Sequence, residues 1–310
     1  MRILVAGGAG FLGSNLCKKL LEEKDNYVIC LDNFSSGKKE NIEDIENNER
    51  FELVESDIIN KIDLDIDQIY NAACLASPKF YQEKSLETFD TCVVGTRNLL
   101  DLAKKYNAKF LQFSTSEIYG DPLEHPQNEK YYGNVNTMGI RSCYDEGKRA
   151  AETLCFLYNK KYNIKTKVVR IFNTYGPYMR KDDGRVISNF ITKALRNEDI
   201  EVYGDGNQTR SLCYVDDLLD GIIKMMSSND DIIGPINLGN SYEVSINDLA
   251  QKIIKLTNSN SKIIYKELPQ DDPVRRKPDI TCAQNILGYS PKVSLEEGLN
   301  YTIEFYKKNA

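Results

Sequence analysis

The amino-acid sequence predicts an α/β protein with a doubly wound parallel sheet and a smaller carboxy-terminal α/β lobe. Two observations carry this prediction. β-rich runs alternate with amphipathic segments through the first half of the chain, and this alternation becomes irregular in the second half. Strand–helix alternation favours parallel strands that are joined by right-handed crossovers, with helices on both faces of the sheet. The 310 residues suffice for one large unit or two closely joined domains.

The first half of the chain supplies the predicted sheet, which we assign to a domain over residues 1–172. Short runs rich in β-branched and aromatic residues predict its strands. These strands are Arg2–Ala6, Tyr27–Leu31, Phe51–Val54, Gln68–Ala72, Lys109–Phe113 and Lys167–Phe172. Amphipathic segments between them predict the helices Phe11–Lys24, Leu86–Tyr106 and Tyr144–Tyr162.

The second half, residues 173–310, is predicted to be mainly a substrate-binding lobe. Its predicted helices are Ile187–Asn197, Val215–Ser227, Ile246–Leu256 and Leu295–Tyr306. Residues 212–240 are expected to return to the first domain, because Pro235–Leu238 has the composition of a further strand of its sheet.

Composition and charge exclude several classes of function. Hydrophobic residues make up 41% of the chain, and its net charge of −6 argues against nucleic acid or an anionic membrane as the main partner. No apolar run approaches the roughly 20 residues of a membrane helix, and no signal peptide is predicted. The eight cysteines lack a C-x-x-C pair, which favours a cytoplasmic protein, and the single histidine, His125, cannot build a zinc site.

A glycine-rich loop follows the first predicted strand and opens the first helix. Gly7, Gly10 and Gly13 fit a G-x-x-G-x-x-G spacing, and Gly8, Gly10 and Gly13 fit G-x-G-x-x-G. Such glycines let the backbone approach a pyrophosphate at the amino terminus of the helix. Asp32 ends the second strand, where a carboxylate accepts hydrogen bonds from ribose hydroxyls and repels a 2′-phosphate. The sequence therefore predicts a Rossmann domain that binds NAD in preference to NADP.

Tyr144 and Lys148 lie four residues apart in "CYDEGK", so they share one face of a predicted helix. An ammonium and an oxidised nicotinamide beside a phenol favour the phenolate, which can take the proton of an alcohol. The stretch "STSEIYG" (residues 114–120) adds three hydroxyls and one carboxylate at the end of the fifth strand. We therefore predict that the protein oxidises an alcohol at this place.

The glycine loop, Asp32, "STSEIYG", "YDEGK" and "RIFNTYGP" together resemble the extended short-chain dehydrogenase/reductase family of nucleotide-sugar enzymes, from about residue 2 to residue 306. "ASPKFY", "DDGRVISNF", "YGDGNQTR" and "DDPVRRKPDI" are most similar to members that act on UDP-glucuronate. The resemblance implies a carboxy-lyase that converts UDP-glucuronate into UDP-xylose and CO₂ through a 4-keto intermediate, with NAD regenerated. The alternatives are a 4-epimerase or 4,6-dehydratase of the same family, and a non-catalytic dinucleotide-binding sensor.

The same resemblance implies a role for individual residues. Thr115 would complete a triad with Tyr144 and Lys148, while Ser116, Glu117 and Arg210 would orient the sugar carboxylate and manage protonation at C5. The 4,6-dehydratases carry an aspartate at the place of Ser116, which argues against that activity. The implied catalytic residues are Thr115, Ser116, Glu117, Tyr144, Lys148 and Arg210.

Binding residues follow from the resemblance in the same way. The implied cofactor contacts are Gly7, Gly10, Phe11, Leu12, Gly13, Asp32, Asn33, Asp57, Tyr144 and Lys148. The implied substrate contacts are Tyr81, Asn173, Arg185, Tyr203, Arg210 and Arg276. Tyr81 would hold the glucuronate, and Asn173, Arg185 and Arg276 would hold the uracil and the diphosphate. The predicted helices Leu86–Tyr106 and Tyr144–Tyr162 carry apolar residues on more than one face, and the resemblance implies that they form the interface of a homodimer.

Overall fold

The computed structural model describes residues 1–267 and 276–309. Its strands, in chain order, are β1 (Arg2–Ala6), β2 (Tyr27–Asp32), β3 (Phe51–Glu55), β4 (Gln68–Asn71), β5 (Lys109–Thr115), β6 (Thr166–Ile171), β7 (Thr174–Tyr175), β8 (Ile200–Tyr203), β9 (Thr209–Ser211), β10 (Cys213–Tyr214), β11 (Ile236–Leu238), β12 (Glu243–Ser245) and β13 (Ile263–Lys266). Its α-helices are α1 (Phe11–Leu21), α2 (Pro78–Glu83), α3 (Ser85–Asp90), α4 (Thr96–Tyr106), α5 (Ser142–Tyr162), α6 (Val186–Leu195), α7 (Val215–Ser227), α8 (Ile246–Thr257), α9 (Thr281–Leu287) and α10 (Leu295–Lys308).

A seven-stranded sheet forms the centre of the described part of the chain. Its strands lie in the order β3-β2-β1-β4-β5-β6-β11, and every neighbouring pair is parallel. The chain first builds outward from β1 to β3 and then crosses back to continue from β4, so the order reverses between β1 and β4. In such sheets a ligand crevice opens at the carboxyl ends of the strands beside the reversal. This architecture confirms the predicted doubly wound fold.

Strand β1 shows why the sheet is buried on both faces. Ile3 and Val5 point into one core, which they share with α1 and α7, while Leu4 and Ala6 point into a second core beneath α4 and α5. All four side chains are fully buried. Continuous apolar runs of this kind are typical of parallel strands that are covered by helices on both sides.

The predictions from the sequence located most helices and strands correctly, but they missed others. The predicted return of Pro235–Leu238 is confirmed, because β11 pairs with β6 and Ile236 lies opposite Val169. The helix predicted over Leu86–Tyr106 is instead α3, a wide π-helical turn over Thr91–Gly95, and α4. The short helix α2 and the strand pairs of the second half were not predicted, because runs of two to six residues give little periodicity. The division of the chain into domains at residue 172 stays a prediction.

The carboxy-terminal lobe packs helices α6, α8 and α10 together beside short strand pairs. Strands β8 and β13 pair in parallel, and β9 and β12 pair antiparallel. These pairs bring the loops of the second half over the carboxyl ends of the main sheet. Among the residues described, no helix is long and apolar enough to cross a bilayer.

Candidate active site

The glycine loop between β1 and α1 forms a cradle that only bare backbone can fill. Gly7 has a φ of +75°, and a Cβ atom added to Gly13 would lie 2.0 Å from the Gly7 carbonyl oxygen. The first turn of α1 therefore packs directly on the loop. Gly10 precedes α1, and no side chain caps this end of the helix. The free N–H groups of the first turn and the close approach of the backbone fit the pyrophosphate of a dinucleotide.

Asp32 holds this cradle in place. Its carboxylate accepts hydrogen bonds from the backbone N–H groups of Ala9 (2.9 Å) and Phe34 (2.8 Å). Burial raises the pKa of Asp32, and those two N–H groups oppose the rise. Beyond it, the Asn33 side-chain amide donates to Asp57 (2.7 Å) and ties together the ends of β2 and β3. Asp32 thus orders the loop, a role that the sequence did not reveal, and retains acceptor capacity for ribose hydroxyls.

The structure brings the predicted residues to two adjoining cavities. The first, of about 260 Å³, is lined by the predicted cofactor residues Gly7, Gly10, Phe11, Leu12, Gly13, Asp32, Asn33 and Asp57. The second, of about 480 Å³, is lined by Tyr81, Thr115, Ser116, Glu117, Tyr144, Lys148, Asn173, Arg185, Tyr203, Arg210 and Arg276. Phe11, Leu12, Cys74 and Arg185 line both cavities, so a ligand in one meets a ligand in the other.

Tyr144 and Lys148, in the first two turns of α5, line the second cavity, and their predicted contacts with the cofactor stay a prediction. Lys148 is almost fully buried, and its Nζ donates to the Phe113 carbonyl oxygen (2.8 Å) while lying 5.8 Å from the centre of the Tyr144 ring. Thr115, at the end of β5, lines the same cavity as the Tyr144 phenol and lowers its pKa. The Tyr81 ring stacks on the Tyr144 ring, with centroids 5.2 Å apart and planes 3° apart. These contacts fix the phenol in one position.

The protonation of Tyr144 differs from the sequence-based expectation. Burial raises the pKa of its phenol well above the usual range, and the neighbouring Cys74 thiol adds to the rise, while the Thr115 side chain lowers it. The side chains of the cleft therefore do not produce the predicted phenolate by themselves. Of the two cations in that prediction, Lys148 lies 5.8 Å from the centre of the Tyr144 ring, and the nicotinamide belongs to the cofactor.

Glu117 is held between two arginines. Its carboxylate accepts a hydrogen bond from Arg141, at the start of α5, and another from Arg276, in the second half of the chain. Burial works to raise the pKa of Glu117, but the two guanidinium charges outweigh it and the pKa is lowered. Arg141 was not predicted. The available signal was its position three residues before Tyr144, which places both side chains on one helix face.

Asp145 is a buried carboxyl group beside these charged side chains. Its Oδ2 lies 3.8 Å from Nε of Arg141, and its Oδ1 is buried without a hydrogen-bond partner within the part of the chain that the structure describes. Burial, followed by the charge of Glu117, raises the pKa of Asp145 to about 7. We call Glu117, Arg141, Asp145 and Arg276 the charged cluster.

The remaining predicted substrate residues come from the second half of the chain. Arg210 lies on β9, where its Nη1 donates to the Thr209 carbonyl oxygen (3.0 Å). Arg185 precedes α6 and pairs with Asp183, whose carboxylate raises the pKa of the half-buried guanidinium against the effect of desolvation. Arg276, predicted to hold uracil or diphosphate, contacts Glu117 instead, and its role toward the substrate stays a prediction. The first half of "DDPVRRKPDI" lies within residues 268–275, outside the described residues.

Comparison with known proteins agrees with this geometry. Residues 3–239 match the model of the NAD dependent epimerase/dehydratase family. The chain is 52% identical over 299 residues to UDP-glucuronic acid decarboxylase 3 of Arabidopsis thaliana, covering 96% of this chain and 87% of the relative. It is 48% identical over 307 residues to UDP-glucuronic acid decarboxylase 1 of Xenopus tropicalis, covering 99% and 72%. A solved UDP-glucuronic acid 4-epimerase from Bacillus cereus, in complex with UDP-glucuronic acid and NAD, superposes over the whole of both chains with a TM-score of 0.91 at 31% identity.

Proposed function

The chain belongs to the NAD dependent epimerase/dehydratase family, and we propose that it is a carboxy-lyase that converts UDP-glucuronate into UDP-xylose and CO₂. The observation that carries the proposal is the cleft in which Tyr144, Lys148, Thr115 and Glu117 meet at the edge of a dinucleotide cradle. About half of the residues are identical to those of named UDP-glucuronic acid decarboxylases over nearly the full chain, which supports this substrate over a neutral sugar.

The cofactor residues are those of the glycine cradle and of the polar groups that follow β2. Gly7, Gly10 and Gly13 would hold the pyrophosphate of NAD, Asp32 the adenosine ribose, and Asp57 the adenine edge. When bound, NAD supplies reversible redox chemistry at C4 of the sugar and is regenerated at the end of the cycle. The cradle fits this group because the bare Gly13 lets the first turn of α1 pack on the Gly7 carbonyl, while Gly10 presents backbone without a side chain to an approaching phosphate.

Tyr144 handles the proton of the 4-hydroxyl. Its phenol and the Thr115 hydroxyl line the same cavity, so a sugar hydroxyl that binds between them meets two groups that can share its proton. Lys148 is fixed by its hydrogen bond to the Phe113 carbonyl and places its ammonium group 5.8 Å from the centre of the phenol ring. As the hydroxyl becomes a ketone, its proton passes to the Tyr144 oxygen.

A ketone at C4 lies β to the C6 carboxylate, and this position makes the loss of CO₂ feasible. The C5–C6 bond breaks, its electron pair enters an enolate with the charge on the C4 oxygen, and the hydrogen-bond donors Tyr144 and Thr115 face that oxygen. Arg210 and Ser116 would orient the carboxylate before it leaves. A proton must then be added to C5.

The charged cluster gives Glu117 a way to deliver that proton. With two guanidinium partners Glu117 is ionised, because they hold its pKa below the usual range. An incoming substrate carboxylate competes for Arg141 or Arg276. Loss of one partner raises the pKa of a buried carboxylate, so Glu117 can then take up a proton and pass it to C5.

We also propose a homodimer, and we keep the cytoplasmic location as a prediction. Exposed apolar side chains on the neighbouring helices α3 and α5 and on the π-helical turn support the dimer. They are Leu86, Phe89, Val94, Phe156 and Leu157. Light scattering at micromolar concentration is expected to give twice the chain mass, and a monomer mass would refute the dimer.

Proton NMR of the purified protein tests the proposed reaction. Incubation with UDP-glucuronate and NAD⁺ is expected to yield UDP-xylose, while UDP-glucose, which lacks the carboxylate, should remain unchanged. Conversion into UDP-galacturonate would instead favour the 4-epimerase alternative. Unchanged UDP-glucuronate in the presence of NAD-loaded protein would refute the substrate assignment.

A further inference from the structure

We propose that Cys74 and Cys92 form a peroxide-reactive dithiol in the wall of the catalytic cleft. Cys74 follows β4, Cys92 lies in the π-helical turn over Thr91–Gly95, and their Sγ atoms are 3.3 Å apart. A disulfide bond is about 2.05 Å long, so the two sulfur atoms need to approach by only about 1.3 Å. This modification site is independent of the decarboxylase proposal, because it depends on the thiols alone.

The two thiols differ in the way that a reactive pair requires. Cys74 is partly exposed and lines both cavities, so a small oxidant reaches it through the cleft, whereas Cys92 is buried. The hydrogen bond from Cys92 lowers the pKa of Cys74, and the charge of Lys148 acts in the same direction. Cys74 is therefore the thiol that an oxidant attacks, and Cys92 is the resolving thiol behind it.

The other cysteines lack this combination of access and reactivity. Four of them, Cys17, Cys30, Cys155 and Cys213, are fully buried. Cys143 and Cys282 are partly exposed, but burial raises the pKa of both thiols. The Cys143 thiol also donates a hydrogen bond to the Tyr81 carbonyl oxygen (3.5 Å), so it is engaged by a group other than Cys74.

The packing around Cys92 keeps it directed at Cys74. Helix α5 lies flush against it at Gly147, where an added Cβ atom would come within 2.9 Å of Cys92 Cβ. Cys74 in turn packs in a small apolar cluster with Leu75, Tyr81 and Tyr144. Because Cys92 packs against α5, it would keep its position when a disulfide forms. Cys74 would then shift toward Cys92, and Cys74 packs beside the catalytic Tyr144 phenol.

The oxidation balances with hydrogen peroxide as the oxidant. The Cys74 thiolate attacks one peroxide oxygen, the O–O bond breaks, and Cys74 becomes a sulfenic acid as one water leaves. The Cys92 sulfur then attacks the Cys74 sulfur, a second water leaves, and the disulfide is formed. Two thiols have lost two electrons and two protons, and one peroxide has been reduced to two waters.

Peptide mapping by mass spectrometry tests this proposal. The purified full chain, with its bound NAD retained, is treated with hydrogen peroxide, alkylated and digested without reductant. We expect one linked pair of peptides that contains Cys74 and Cys92, lighter by two hydrogen atoms than the free peptides, and dithiothreitol should restore the free pair. The readout is a mass, so it stays interpretable even if the protein does not act on UDP-glucuronate.

Two variants separate the proposed pair from general oxidation. In Cys92→Ser the linked peptide should vanish, and a sulfenic acid at Cys74 should be trapped by dimedone. In the control Cys282→Ser, which removes a partly exposed thiol on α9, the Cys74–Cys92 link should persist. The proposal is overturned if Cys74 stays reduced at peroxide concentrations that oxidise Cys282, or if Cys74 becomes linked to Cys143 instead.

Discussion

The cofactor cradle and the charged cluster share one cleft but are built in opposite ways. The cradle is made of backbone: the left-handed Gly7 and the bare Gly13 let the loop and the first turn of α1 pack closely, and Asp32 holds the loop. The cluster is made of side chains, in which Glu117 balances two guanidinium groups from distant parts of the chain. An added side-chain atom would therefore clash in the cradle, and removal of one charged group from the cluster would leave its partners without a counter-charge. A substitution in the cradle should therefore weaken cofactor binding and spare the chemistry on the sugar, and a substitution in the cluster should do the reverse.

Tyr144 lies between the two regions, and its hydroxyl gives the largest expected effect. Tyr144→Phe keeps the ring that stacks on Tyr81 and removes only the oxygen that takes the substrate proton. We expect kcat to fall by about a thousandfold, the size of a general acid–base contribution, while NAD should bind at most about tenfold more weakly, the cost of one predicted hydrogen bond. Steady-state turnover and calorimetric titration with NAD measure the two quantities. A loss of NAD binding as large as the loss of kcat would show that the regions are not separable.

An added methyl group tests the cradle. In Gly13→Ala the new carbon would lie 2.0 Å from the Gly7 carbonyl oxygen and 2.8 Å from Gly8 Cα, and both are backbone atoms. We expect NAD to bind about a hundredfold more weakly, because overpacking of this kind costs about 1–3 kcal/mol. Lys19→Ala is the control, since it shortens an exposed side chain of the same helix that does not line the cofactor cavity. Equal losses in both variants would contradict the specific role of Gly13.

Removal of a charge tests the cluster. Glu117→Gln leaves the buried Arg276 and its neighbour Arg141 without a shared carboxylate, and the loss of one member of a buried ion pair costs about 3–5 kcal/mol. We expect the free energy of unfolding in urea to fall by an amount near the low end of this range. Glu152→Gln is the control: Glu152 pairs with Arg170 away from the cluster, so stability should fall without the loss of turnover.

The same carboxylate sets a pH dependence of stability. Because the folded pKa of Glu117 is lowered, its contribution is present above the ordinary carboxyl range and is lost as the pH falls through the folded pKa. Wild-type protein should therefore lose more stability on acidification than Glu117→Gln. Urea unfolding at several pH values between neutral and about 3 measures this difference, and parallel curves for the two proteins would contradict it.

Asp145 gives a pH dependence of stability with the opposite sign. A carboxyl whose folded pKa is raised to about 7 is most stabilising when protonated, so its contribution falls as the pH rises from the ordinary carboxyl range toward 7. Asp145→Asn should be more stable than wild type at pH 8, by up to about 4 kcal/mol, and equal to it near pH 4. Thermal unfolding at the two pH values measures this. A variant that is less stable at pH 8 would show that Asp145 is ionised and paired in the folded protein.

The two regions also differ in what the sequence could reveal. Sites built from neighbouring residues leave motifs in the sequence. The glycine loop, Asp32 and the Tyr144–Lys148 pair were therefore all found from the spacing of residues along the chain. The charged cluster joins residues up to 159 positions apart, and nothing in the spacing of Glu117 and Arg276 indicates their contact. The same holds for the Cys74–Cys92 pair, which depends on a π-helical turn that the regular helical pattern concealed. Side-chain contacts made by the tertiary fold were beyond the reach of local patterns.

The most direct test of the central claim is the reaction itself in deuterated water. Loss of CO₂ from a 4-keto sugar leaves an enolate that must take a proton at C5, and in D₂O an acid such as Glu117 carries deuterium. NMR of the product from UDP-glucuronate is expected to show UDP-xylose with one deuterium at C5, in a single orientation. Undeuterated UDP-xylose, or a C4 epimer that keeps its carboxylate, would contradict the account.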